Sequence, residues 1–293
     1  MKTILLPTDF SPHAHNAFNY ALGLAEACHA KVILFHAYHY NASGAFYVPT
    51  ELIDVVNLDQ KDSALKSMER YQKIANAQAG KDVRVDPVMV QGFAIDEILE
   101  YTQANPVDLI IMGTRGASGF EGRLLGSVTL SLLERSQVPV IALPDGAEFS
   151  PINQIAYATN YEEQDSNALD RLLDFAFLNH AEIHCVHVSG KPGPDEQQRK
   201  NMLERQFDWE VTMKDLDFTE LEEQDVVKGL LNFINERPMD MLAMLSHRRG
   251  FWGRMFHQSI SNEVARQIKI PLMVFPMKKH KKPTGTDPVA SSV

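Results

Sequence analysis

The amino-acid sequence predicts an α/β fold in which two doubly wound parallel sheets follow one another along 293 residues. Three observations predict it. Short, continuous apolar runs such as Ala30–Tyr38 (AKVILFHAY) mark strands buried on both faces, as in a parallel sheet covered by helices. These runs alternate with segments whose apolar residues recur at i, i+3 and i+4, the spacing of a helix with one buried stripe. The whole pattern then begins again. Thr159-Asn160 falls against Thr8-Asp9, and Ala181–His187 (AEIHCVH) against Ala30–His36, at an offset of 151 residues. A repeat of that period signifies a duplicated domain rather than a solenoid.

The elements follow in order. Lys2–Thr8 reads as a buried strand ending at Pro7-Thr8-Asp9. Ser11-Pro12 starts a helix, with Ser11 placed to cap it and Pro12 at the first helical position, where its missing N–H does no harm. Ala17, Tyr20, Ala21, Leu24 and Ala25 share one face of that helix, and the Ala30–Tyr38 strand follows. Residues 39–56 carry Gly44, Pro49 and several aromatics and read as a loop, with a polar helix over about 58–79. Val83–Val90 alternates, as an edge strand does, and Gly92 precedes a helix over Ile95, Ile98, Leu99 and Tyr101.

The stretch from Val107 to Pro144 carries the chemistry. Leu109–Met112 is a short apolar strand, then a loop brings Gly113, Gly116, Gly119 and Gly122, with Gly126-Ser127 just beyond. A helix with Leu125, Val128, Leu132 and Leu133 on one face leads to a last strand, Val138–Leu143, closed by Pro144. Glycines leave no Cβ in the way, so successive N–H groups can converge on an anion, and the helix start adds its unpaired amides. The loop is not a Walker loop, since no lysine occurs in 113–127. Nor is it a dinucleotide fingerprint, since the first strand is followed by PTDFSP, without glycine.

Gly113-x-x-Gly116, nine residues, then Gly126-Ser127 resembles the nucleotide loop of the universal stress protein family, and the likeness runs over nearly the whole chain to about Lys278. The resemblance implies a strand order of 3-2-1-4-5 in each half. It also implies that the fifth strands, VPVIAL and IPLMVF, meet across a pseudo-twofold axis as an intramolecular pseudo-dimer. It implies ATP, with Mg as its companion ion, held by Pro7, Thr8, Asp9, Ala37, Met112, Gly113, Arg115, Gly116, Gly119, Arg123, Gly126, Ser127 and Val128. Arg115 and Arg123 are the only cations near the loop in sequence, which suits holding a nucleotide better than transferring its phosphate. The expected role is that of a regulatory or sensor module. A slow ATP hydrolase and a non-binding interaction protein are the alternatives, and a flavodoxin-like electron carrier also fits the strand pattern.

The expected organisation is a nucleotide-binding domain over 1–146, a degenerate second domain over 151–277, and a basic tail over 278–293. At the last strand the offset is 132, which sets Leu245, Arg248 and Gln258 against Gly113, Gly116 and Gly126, so the second half is expected not to bind ATP in the first half's manner. It is shorter, and the deletion falls somewhere between its second strand and its last. Its own loop, SHRRGFWGRMFHQS, mixes arginines and aromatics that fill space or dock a neighbouring surface.

A formal charge of −10 argues against binding nucleic acid or anionic lipid at large. No apolar run approaches a membrane span and the N-terminus carries no signal core, so a cytoplasmic protein is expected. Cys28 and Cys185 read as buried structural thiols in equivalent places of the two halves. His36-x-x-His39 and His184-x-x-His187 lie on strands, where side chains three apart point to opposite faces, so neither pair chelates one metal. No grouping suggests nucleophilic catalysis. The partners expected are a nucleotide, a protein of unspecified identity, and a second copy where the internal repeat leaves room for a homodimer.

Overall fold

The computed structural model describes residues 1–38, 50–78, 83–114, 126–190, 193–246 and 268–277, of which 50–60 by backbone alone. The first half runs β1 (Thr3–Pro7), α1 (Pro12–Cys28), β2 (Lys31–Tyr38), α2 (Thr50–Gln78), β3 (Val85–Gln91), α3 (Ala94–Ala104), β4 (Leu109–Gly113), α4 (Ser127–Arg135) and β5 (Val140–Leu143). The second half has β6 (Gln154–Ala158), α5 (Glu163–Asn179), β7 (Glu182–Ser189), α6 (Pro194–Gln206) and α7 (Asp208–Met213). It continues through β8 (Leu216–Glu222), α8 (Val226–Glu236), β9 (Met241–Leu245) and β10 (Leu272–Phe275).

All ten strands join one sheet in the order β3-β2-β1-β4-β5-β10-β9-β6-β7-β8. Each half has the expected 3-2-1-4-5 order with parallel pairing, and the halves meet through an antiparallel β5–β10 pair. Leu272 faces Ala142, Met273 faces Ile141 and Val274 faces Val140. The 132-residue offset carries Ile141 to Met273 and exchanges the two outer pairs, so this contact is self-complementary, as in a twofold dimer. The axis has a second marker. Asn179, which the 151-residue offset sets against Cys28, donates to Cys28 Sγ at 3.6 Å where α1 and α5 meet. The cysteines are therefore not equivalent, because Cys185 lies in β7 at the place of Leu34. Both are buried and free, as expected.

Alternation along the strands splits the core into two layers. Ile4 and Leu6 face the layer covered by α1, α2, α5 and α6, while Leu5 faces that covered by α3, α4 and α8. Ser11 caps α1, its Oγ accepting from Ala14 N, and Pro12 opens the helix, as the sequence predicts. Both halves end their first helix on a left-handed histidine, His29 (φ 51°) and His180 (φ 55°). At the start of each half an aspartate from the fourth strand's approach ties down the first strand: Asp108 accepts from Lys2 N and Thr3 N, Asp240 from Asn153 N and Gln154 N. β3 is an edge strand, where Pro87 costs no ladder bond.

Two expectations need correction. Helix α2 begins at Thr50 rather than about 58, so 50–56 is helix and not loop; Val55 and Val56 lower helix propensity, but propensity is a weak prior that tertiary context overrides. Residues 39–49 lie outside the described ones. The shortening of the second half falls at one place, since the offset is 151 at β7 (Glu182 against Lys31) and 131 at β8 (Leu216 against Val85). There the 29-residue α2 is replaced by α6 and α7, of 13 and 6 residues.

Candidate functional site

In an open parallel sheet the crevice forms where neighbouring strands send their connections to opposite faces, at the carboxyl ends of the strands. In the first half this point lies between β1 and β4, and a crevice with an empty volume of about 730 Å³, part of it open to solvent, sits there. Pro7, Thr8 and Asp9 line it from the end of β1, Ala37 from β2, Met112 and Gly113 from β4, and Gly126, Ser127 and Val128 from the start of α4. Nine of the thirteen residues expected from the sequence are thus brought together. Arg115, Gly116, Gly119 and Arg123 lie outside the described residues.

Hydrogen bonds shape each wall. Thr8 N donates to Phe35 O, and the His36 ring holds Thr8 O at 2.8 Å through Nδ1, so the end of β1 is pinned to β2. Phe10 then adopts a left-handed conformation (φ 60°), uncommon for a bulky residue, with its N–H on Thr8 Oγ1 and its ring 4.6 Å from that of His36. This turn presents Asp9, whose Oδ1 accepts from Ser11 N at 3.0 Å just before the α1 cap. On the other wall Gly126 N donates to Thr114 O at 2.6 Å, and Thr129 Oγ1 donates to Gly113 O at 3.0 Å, so α4 is bound to the end of β4.

Helix α4 differs from α1 and α8 at its start. Ser11 and Asp225 cap those two with side-chain oxygens, but the N-cap of α4 is Gly126 and no described side chain caps it. Ser127 occupies the first helical position rather than the cap. The ladder begins with Leu130 N on Gly126 O, so the amides of Ser127, Val128 and Thr129 stand ahead of it at the crevice wall.

The sequence reading missed Ala14, Phe35, Ala94, Ile98 and Thr129, which complete the lining. Phe35 and Thr129 each stand two residues from a predicted one, and strand or helix spacing around Ala37 and Ser127 could have found them. Ala94 and Ile98 carried no signal, because their apolar spacing marks a core face equally well.

The corresponding place in the second half is built alike and filled differently. Tyr161 repeats the left-handed turn (φ 55°) with its N–H on Thr159 Oγ1, and His187 Nδ1 holds Thr159 O at 2.9 Å. Asp9 has become Asn160, however, and Ala14 has become Asp165. The Asp165 side chain is buried, accepting from Tyr157 Oη at 2.6 Å, Thr159 Oγ1 at 2.8 Å and Glu162 N at 2.8 Å. The glycine-equivalent positions beyond Leu245 fall outside the described residues. His184 and His187 take separate partners, the former Asp217 and Gln154, the latter Thr159 O, and no group of three metal-ligating side chains converges among the described residues. No described helix is long and apolar enough to cross a membrane.

Fold and crevice together define a class: a duplicated doubly wound module with an apolar, glycine-flanked crevice at its first switch point. The chain belongs to the universal stress protein family, whose model matches residues 1–144 and 151–276, and shares the general regulatory or sensor role of that family. A universal stress protein of Thermus aquaticus is 34% identical over 143 residues, covering 48% of this chain and 96% of that protein. One of Mycobacterium tuberculosis is 22% identical over 272 residues, 86% of this chain and 90% of that protein. The crystal structure of a universal stress protein from Archaeoglobus fulgidus superposes with a TM-score of 0.70 at 21% identity, covering 94% of this chain and 97% of that one, a likeness of fold.

Proposed function

We propose that the first half binds ATP, with a divalent ion as counter-charge, and that occupancy alters the surface offered to a protein partner. The observation carrying this reading is the start of α4: a helix N-terminus that no described side chain caps, flanked by Gly126 and facing Gly113, opening into a crevice. Phosphates fit against the amides of Ser127, Val128 and Thr129. The adenine fits the apolar side formed by Phe35, Ala37, Ala94 and Ile98, since small-molecule sites are lined mainly by apolar and aromatic side chains. In the second half the buried Asp165 carboxylate, at the place of Ala14, opposes an anion.

Holding rather than hydrolysis suits the lining, in which Asp9 is the one titratable side chain among the described residues. Isothermal titration is expected to give saturable ATP or ADP binding at about one site per chain, abolished by Gly126→Val and by Gly116→Val. Binding unchanged in both variants refutes the assignment. Steady release of ADP that disappears in Asp9→Ala, with binding retained, would establish the hydrolase instead.

A further inference from the structure

The linker between the halves is held along α1. Past β5 it touches one face of that helix at four successive places. Asp145 pairs with His13 Nδ1 at 2.8 Å, and Asn16 Nδ2 donates to Ala147 O at 2.9 Å. The Phe149 ring then stands edge-on to Tyr20, with centroids 5.4 Å apart, and packs over Gly23, where a Cβ would fall 2.3 Å from Phe149 Cδ1. Residues 13, 16, 20 and 23 keep the spacing of one helical stripe, so α1 offers a groove and the linker fills it.

The second half repeats the groove. The 151-residue offset carries those four residues to Gln164, Asn167, Arg171 and Asp174 of α5. Gln164, Asn167 and Arg171, with Leu245, Phe275 and Met277, line a small crevice at its head, and the 132-residue offset sets Met277 in the place of Asp145. Arg171 is turned to the Phe275 ring, its guanidinium carbon 5.8 Å from the centroid. The chain goes on from Met277 as KKHKKP, against GAEFSP in the linker. Helix and following segment differ from their twins in a matched way. Where α1 has Pro12, Asn19 and Gly23, α5 has exposed Glu163, Asp170 and Asp174. Where the linker has Gly146, Ala147, Phe149 and Ser150, the tail has Lys278, Lys279, Lys281 and Lys282.

We infer that residues 278–282 dock along α5 as the linker docks along α1, with lysines against Glu163, Asp170 and Asp174 in place of the apolar contact at Gly23. The lengths agree. Five extended residues span about 17 Å, and α5 rises about 15 Å from Gln164 to Asp174. Exposed ion pairs are individually weak and screened by salt, but a segment tethered at Met277 meets the groove at a high effective concentration. The entry differs from the linker's, because Gly146 takes a left-handed φ of 76° that Lys278 disfavours, so the tail needs its own turn after Met277. A partner that uses this face of α5 must displace the tail. The inference does not depend on nucleotide binding.

The test uses the full ¹⁵N-labelled chain carrying a nitroxide on Lys279→Cys, with labelled wild type as the control for the buried cysteines. Paramagnetic broadening of the Asn167–Asp174 amides is expected, with the amides of α8, on the other face of the sheet, unaffected. Raising the salt to about 0.5 M should reduce it, as charge screening requires. The double variant Asp170→Lys, Asp174→Lys should remove it at least tenfold, with circular dichroism confirming that the variant is folded. Mixing ¹⁵N chain with nitroxide-labelled chain of natural isotope content should give no broadening of α5. Unbroadened Asn167–Asp174 amides, broadening that the folded double variant retains in full, or broadening that appears in the mixed sample, which would assign the groove to the tail of a second copy, would each overturn the inference.

Discussion

Asp165→Ala tests how the second half closes its switch point. Asp165 is 2% exposed and its carboxylate takes three hydrogen bonds at 2.6, 2.8 and 2.8 Å. Removing it leaves the hydroxyl of Tyr157, itself 0% exposed, without an acceptor, and strands the Thr159 hydroxyl and the Glu162 amide as well. Each unsatisfied buried group costs about 1–3 kcal/mol, and water entering the small space left behind recovers part of that. The net loss is about 4 kcal/mol, similar to that for breaking other buried polar networks. Urea denaturation of wild type, Asp165→Ala, Tyr157→Phe and the double variant measures it. The cycle should return a coupling of about 1–3 kcal/mol between Tyr157 and Asp165. A loss below about 1 kcal/mol with no coupling would refute the claim that this carboxylate holds the turn together. Asp9→Ala in the first half, at an exposed position, should leave stability within about 1 kcal/mol of wild type.

Two further outcomes follow from the same geometry. Burial raises the pKa of Tyr20, Tyr157 and Tyr161 and of the thiols Cys28 and Cys185, so at alkaline pH the native chain keeps protons that the unfolded chain has lost. Their stabilisation is whole below the unfolded values, about 8.5 for cysteine and about 10 for tyrosine, and is lost as pH rises above them; a urea midpoint that stays constant from pH 8 to 11 would contradict this. At the centre of the β5–β10 pair, Ile141 is 0% exposed, and Ile141→Ala should cost about 2–5 kcal/mol, whereas a loss below about 1 kcal/mol by thermal or urea melting would mean that the strand pair is not a packed core.

Much of the fold was legible because its signals are local. Apolar runs and the internal repeat gave eight of the ten strands within two residues or so, leaving β8 and β9 unplaced, and Ser11-Pro12 gave the start of α1, since capping is decided by adjacent groups. Gly113 and Gly126 pointed to the crevice because a close approach to backbone demands a missing Cβ. The start of α2 was misplaced because nothing local marks it strongly, and the equivalence of the cysteines was misread where register matters more than neighbourhood. Ala94 and Ile98 were missed because an apolar residue facing a crevice has the same sequence spacing as one facing a core.

The sequence by itself determined the duplication and the alternation of strands and helices, and its glycine spacing carried the family resemblance that implied the strand order within each half, since repeats, periodicity and glycine spacing are properties of the chain read one residue after another. Only the tertiary structure decided that the halves share one sheet through Ile141 and Met273, that among the described residues no side chain caps α4, and that Asp165 is buried under three donors while no described donor reaches His187 Nε2. Those facts depend on which groups, distant in sequence, compete for the same hydrogen bonds, and that competition exists only once the chain has closed on itself.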